Sequence, residues 1–287
     1  MTNLIPFVVL LVFQANSSNP SANQGEPAES PDSAWNILND GLTDKSSDKR
    51  AKATQALGLL PLDSKGPQLA LKALKTDPNS DVRAQGATAL GEMHAISAAP
   101  QLKEAFNDTD IKVVLAAANA LYTFKDPAAY EVYYAILTGK RKSSDGLIKS
   151  QLDMLKDKKQ LEKLAFEAGI GFVPFGGMSW QAIQTITHND GSSVMALAAE
   201  RLGTDPDPKS AEALRQACYD SKWAVRLAAV QAIAKRGDPA LVHAVGPLLY
   251  DNNDSVRFSA AATVIRLSSE TKTFTPRPNH GRGTNGN

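Results

Sequence analysis

Residues 77–93 read DPNSDVRAQGATALGEM: an acid, four residues, Val-Arg, then small residues at helical spacing that close on Ala-Leu-Gly. The same phrase returns at 220–233, DSKWAVRLAAVQAI, and at 251–265, DNNDSVRFSAAATVI. Aligning the chain on this Asp-x4-Val-Arg frame gives seven registers. They are Asp44/Lys49/Arg50, Asp77/Val82/Arg83, Asp108/Val113/Val114, Ser143/Ile148/Lys149, Asn189/Val194/Met195, Asp220/Val225/Arg226 and Asp251/Val256/Arg257. Successive spacings at the Val position are 33, 31, 35, 46, 31 and 31. A period of this size, held along most of a chain, is the signature of a solenoid.

Each unit holds two helical patterns. After the frame, small and apolar residues recur on one helical face, as in Val82, Gly86, Ala87 and Leu90, or Val225, Ala229 and Ile233. Alanine suits both helix formation and the close approach of neighbouring helices. Before the frame, Asp126-Pro127, Asp207-Pro208 and Asp238-Pro239 place an acid at an N-cap and proline at the first helical position. Neither helix buries its apolar face alone, whereas stacked pairs do. No alternating strand pattern occurs, so the fold expected is all-α.

The composite pattern L-x-x-(A/L)-(L/F/Y)-x-D-x4-V-R-x-x-A-x-x-A-L-G resembles the short HEAT repeat of phycobilisome-lyase-type HEAT proteins, over about residues 33–268. The resemblance implies an α-solenoid of about seven antiparallel helix pairs forming a curved superhelix. First helices would line its convex side and second helices its concave side. It also implies that Asp77 with Arg83, Asp220 with Arg226 and Asp251 with Arg257 belong to a stacking ladder between adjacent repeats. Val114 and Met195 stand where arginine is expected, so those interfaces should rest on apolar contact.

Two features break the period. Across the 46-residue spacing runs EAGIGFVPFGGMSW (167–180), whose glycines and proline do not continue a helix. The reading is a loop inserted at 168–178, with Phe172, Phe175 and Trp180 as candidate partner-binding residues. The structural reading beside it has these rings sealing a groove between repeats. The segment 140–163 carries eight Lys or Arg against four acids, which is a solvated helical face or an attraction for an acidic partner.

At the N-terminus, LIPFVVLLVF (4–13) has the length of a signal-peptide core and is too short to span a bilayer. Residues 1–15 are read as this apolar segment, 16–32 as a disordered linker and 269–287 as a disordered tail. If residues 1–15 direct export, the protein is periplasmic or extracellular. Otherwise it is cytoplasmic, and membrane contact is expected only through that segment left uncleaved.

Chemistry is hard to find. Lys plus Arg number 31 against 30 Asp plus Glu, a balance unlike that of a general nucleic-acid binder. Cys218 is the only cysteine, which leaves no intrachain disulfide and no cysteine-based zinc site. His94, His188, His243 and His280 are scattered, and none has a ligand partner at i+3 or i+4. The His-Glu pairs by which HEAT-type deoxyhypusine hydroxylase holds iron are absent. No catalytic residue, metal or cofactor is therefore expected, and no small-molecule substrate is evident.

What remains is an interaction scaffold for a protein or peptide, working through the inserted loop or the concave helices. Gln85, Thr88 and Glu92, and Leu227, Gln231 and Lys235, are the residues expected to face that groove. Trp223, Leu227 and Phe258 would make part of it apolar, unless they pack against the next repeat. The competing readings are a lyase-like or hydroxylase-like enzyme or accessory, and a salt-sensitive nucleic-acid or membrane-surface binder using 140–163.

Overall fold

The computed structural model describes residues 30–138 and 192–273, all of them helical or in turns between helices. The helices come in pairs: α1 (Pro31–Thr43) with α2 (Ser47–Ala56), α3 (Gly66–Thr76) with α4 (Ser80–Glu92), and α5 (Ala99–Glu104) with α6 (Ile111–Thr123). Next come α7 (Ala128–Thr138) and α8 (Ser192–Leu202), which flank residues outside the description. Then α9 (Pro208–Ala217) pairs with α10 (Trp223–Arg236), and α11 (Val242–Val245) with α12 (Asp254–Thr273). The fold is an all-α solenoid. Residues 1–29, the 140–163 segment, the 168–178 loop and the tail beyond 273 lie outside the described residues.

Local chemistry sets the helix starts. The Asn79 side chain accepts from the Asp81 and Val82 backbone N–H groups at 2.9 and 3.3 Å, opening α4. Asp110 does the same for α6 through Lys112 N–H at 2.9 Å. Asp207 and Asp238 cap Lys209 and Ala240, with Pro208 and Pro239 just inside the helical turns, as the Asp-Pro pairs predict. Asp126 accepts from Ala128 N–H at 3.0 Å. The last helix continues through Thr273, past residue 269 where the sequence reading starts the tail.

The helix ends explain two strained positions. α10 closes on Gly237 in the left-handed region, φ 69°, where the lack of Cβ removes the penalty. His94 and Lys125 take the matching places after α4 and α6 with φ of 53° and 61°. Lys125→Gly should therefore raise stability by about 1 kcal/mol. The check is a higher urea midpoint at constant m-value.

The Asp and Arg of the frame join neighbouring repeats. Arg50 forms a two-pronged pair with Asp77 at 2.8 and 3.0 Å, Arg83 with Asp108 at 2.7 and 2.8 Å, and Arg226 with Asp251 at 2.7 and 2.9 Å. Within its own repeat each arginine instead donates to the backbone carbonyl of the frame Asp: Arg83 to Asp77, Arg226 to Asp220 and Arg257 to Asp251, at 3.1, 2.8 and 2.8 Å. In the repeat of α12, Arg257 pairs with Asp254 of its own helix. Burial opposes the ionisation of Asp77 and Asp108, but Arg50 and Arg83 outweigh it and hold both carboxyls below their ordinary range.

Second helices stack in an order that the chain direction does not suggest. α4 packs on α2 and α6, α10 packs on α8 and α12, and α12 packs on α2. The row thus runs α6, α4, α2, α12, α10, α8, so the first repeat rests directly on the last. α1 also packs along α12. Phe258 presses on Gly41 so closely that a Cβ there would lie 2.5 Å from the ring. Arg266 donates to the Leu59 carbonyl at 3.2 Å across the same seam. Leu227 and Phe258 are 2% and 3% exposed, so they are core and no part of a sticky groove. Among the described residues, no helix is long and apolar enough to cross a membrane.

Candidate functional site

The contact between the first and last described repeats creates a site. A cavity of about 430 Å³ lies on the inner side of five second helices, α8, α10, α12, α2 and α4 in that order. Its polar lining is Glu200 from α8, Gln231 and Lys235 from α10, Ser259 and Arg266 from α12, Gln55 from α2 and Glu92 at the end of α4. Alanines supply much of the rest, among them Ala196, Ala228 and Ala232. The same small residues that let helices pack closely leave the long polar side chains room to converge.

Glu92 is the unusual group. The residue is exposed, and the surface it keeps faces the cavity, where neighbouring protein atoms crowd the carboxyl. Desolvation pushes its pKa up to about 7. Among the described residues nothing hydrogen-bonds it or pairs with its charge. The missing side chain of Gly58 provides its resting place, since a Cβ there would run into Glu92 Oε2. Across the row, Glu200 Oε2 is buried without a hydrogen-bond partner. Arg266 is fixed to the wall by its bond to the Leu59 carbonyl at 3.2 Å.

An acid whose folded pKa lies above its unfolded value costs stability as pH rises from the ordinary 4.5 to about 7. Wild-type protein should therefore melt lower at about pH 8 than at about pH 5 by more than Glu92→Gln does. Melting curves of both proteins at the two pH values test this, and parallel shifts would remove Glu92 as the cause.

Of the groove residues expected from sequence, Glu92, Gln231 and Lys235 line the cavity, whereas Gln85 turns a buried, unpartnered Oε1 inward. Trp223, at the start of α10, is half-buried and packed against the core. Phe172, Phe175 and Trp180 lie outside the described residues. Glu200 and Arg266 went unread, because the signal that would find them is adjacency between the first and last repeats. Cys218 is fully buried, and desolvation pushes its thiol up to about 12. Among the described residues, no three His, Cys, Asp or Glu side chains group as metal ligands.

Comparison with known proteins agrees with the architecture. No curated protein matches the chain. Among solved structures, an engineered protein from the Northeast Structural Genomics Consortium is 17% identical, over 82% of this chain and 96% of that one, with a TM-score of 0.27. Human deoxyhypusine hydroxylase in complex with glycerol is 16% identical, over 83% and 84%, with a TM-score of 0.28. Likenesses at this level leave the site to be argued from this chain's own residues. HEAT repeats match residues 67–143 and 181–266, more than half of the sequence, and the chain belongs to the HEAT-repeat family.

Proposed function

We propose that this protein is a non-catalytic binding module that engages a partner protein or peptide on its concave helix face, at the cavity where first and last repeats meet. The observation that carries this reading is the convergence of Glu92, Glu200, Lys235 and Arg266 from four helices on one concave space. Polar groups placed so, around a mostly apolar lining, are how small sites fix what they bind. The frame, spaced 31 residues in three of its six steps, and its Arg-to-Asp pairs further support assignment to the short, phycobilisome-lyase-type HEAT repeats. Export belongs to the same proposal and rests on the apolar run 4–13.

Affinity capture from the native host tests it with three baits: the wild-type chain, a Gln231→Ala/Lys235→Ala variant, and a chain whose 168–178 loop is replaced by a Gly-Ser linker. The result expected is one specific partner held by wild type and the loop variant and lost by the cavity variant, with unchanged helical content. A partner lost only with the loop moves the binding face to the insertion. A specific partner captured equally by all three baits, or none by any, overturns the proposal.

One observation favours a second reading, an enzyme or enzyme accessory. A carboxyl with a pKa of about 7, facing a cavity, is suited to moving a proton at neutral pH. A binding role predicts that Glu92→Gln keeps the partner, and an acid–base role predicts that it keeps the ligand while abolishing turnover.

A further inference from the structure

Resting on the reading of this cavity as a binding surface, we propose that its ligand carries an ammonium and a carboxylate together, as a free amino acid or a peptide ending in lysine does. The order of charges along the helix row carries the inference. Glu200 on α8 and Glu92 on α4 stand at the two ends of the row, while Lys235 on α10 and Arg266 on α12 stand between them.

A simple cation would meet Lys235 and Arg266, and a simple anion would meet the two glutamates. Either would bury a like charge at a cost. A group carrying both signs lays its carboxylate against the central cations and its ammonium against a flanking acid. Charged hydrogen bonds of that kind contribute about 1.5–3 kcal/mol each, roughly a tenfold or greater gain in affinity.

Both acids also occupy places that local stability disfavours. Glu92 is the last residue of α4 and Glu200 lies in the last turn of α8, where the helix end already carries partial negative charge. Among the described residues neither forms an ion pair: Glu200 Oε2 is buried without a hydrogen-bond donor, and Glu92 rests on the bare Gly58 backbone. An incoming N–H group supplies what both lack. The cavity, at about 430 Å³, falls in the range of small-ligand sites.

Calorimetric titration of the full chain with three probes tests this: L-lysine, cadaverine, which lacks the carboxylate, and hexanoate, which lacks the ammonium. L-lysine should bind at least about tenfold tighter than either, and Lys235→Met and Glu200→Gln should each weaken it by about tenfold. Lys235 is exposed, so its replacement leaves the fold intact, which circular dichroism verifies. The tripeptide Gly-Gly-Lys separates the two sources: tighter binding than L-lysine assigns a peptide end, and weaker binding assigns the free amino acid. Cadaverine or hexanoate binding as well as L-lysine overturns the proposal, as does the absence of binding by all four at millimolar concentration. If partner capture depends on the cavity while none of these probes binds, the chemical class fails and the binding surface stands.

Discussion

Replacing Arg226 with Met should cost about 3 kcal/mol, the lower end of what breaking a buried ion pair costs. An exposed pair would contribute only about 0–1 kcal/mol, so burial decides which rule applies. Here Asp251 is 5% exposed and Arg226 17%, and the two are joined by two short bonds of 2.7 and 2.9 Å. Arg226 also donates to the Asp220 and Ser221 carbonyls at 2.8 and 3.1 Å, bonds that methionine cannot make. Methionine keeps the bulk but leaves a buried carboxylate without its partner. Urea denaturation measures the loss, and the double variant Arg226→Met/Asp251→Asn should regain about half of it by removing the stranded charge. A loss under about 1 kcal/mol would place the pair among surface bridges. The same ladder sets the acid limit: with Asp77 and Asp108 held low, its stabilisation is complete above the ordinary carboxyl range and is lost as pH falls through their folded values.

Phe258→Ala should cost about 3–5 kcal/mol and loosen the junction between the first and last described repeats. The ring is 3% exposed, lies against Gly41, and has the Arg257 guanidinium 5.2 Å from its centroid. Truncation removes apolar burial and leaves a void at the seam between α1, α2 and α12, with few neighbours able to collapse into it. Gly41→Leu attacks the same seam from the other side, by overpacking, since even a Cβ would lie 2.6 Å from the ring tip and 2.8 Å from the Ala53 methyl. Both variants should show a larger radius of gyration by small-angle scattering, with helical content little changed. A compact molecule in both cases would mean that the remaining seam contacts, Arg266 to Leu59 among them, suffice.

What the sequence determined by itself is the repeat. The spacing of 31, the Asp-Pro starts and the alanine-rich second helices are local signals, readable because a helix and its cap depend on residues a few positions apart. The ladder was legible as a link between adjacent repeats, and the structure supplies its pairing: Arg83 meets Asp108 of the next repeat, one period away. Of the two places where arginine is missing, Val114 sits fully buried in an apolar helix as that gap implies, whereas Met195 on α8 is 48% exposed. The tertiary structure alone decided that the two ends of the solenoid meet. Phe258 looks like a possible surface residue on its own helix and becomes core only because Gly41, more than two hundred residues earlier, admits its ring. The cavity follows from that junction. Glu92 and Glu200 are ordinary helix-end acids in the sequence, and only the closing of the row places them around one cavity with Lys235 and Arg266 between them. Periodicity reports which face of a helix is buried, not which distant helix buries it, because no local residue pattern encodes the accumulated curvature of a stack.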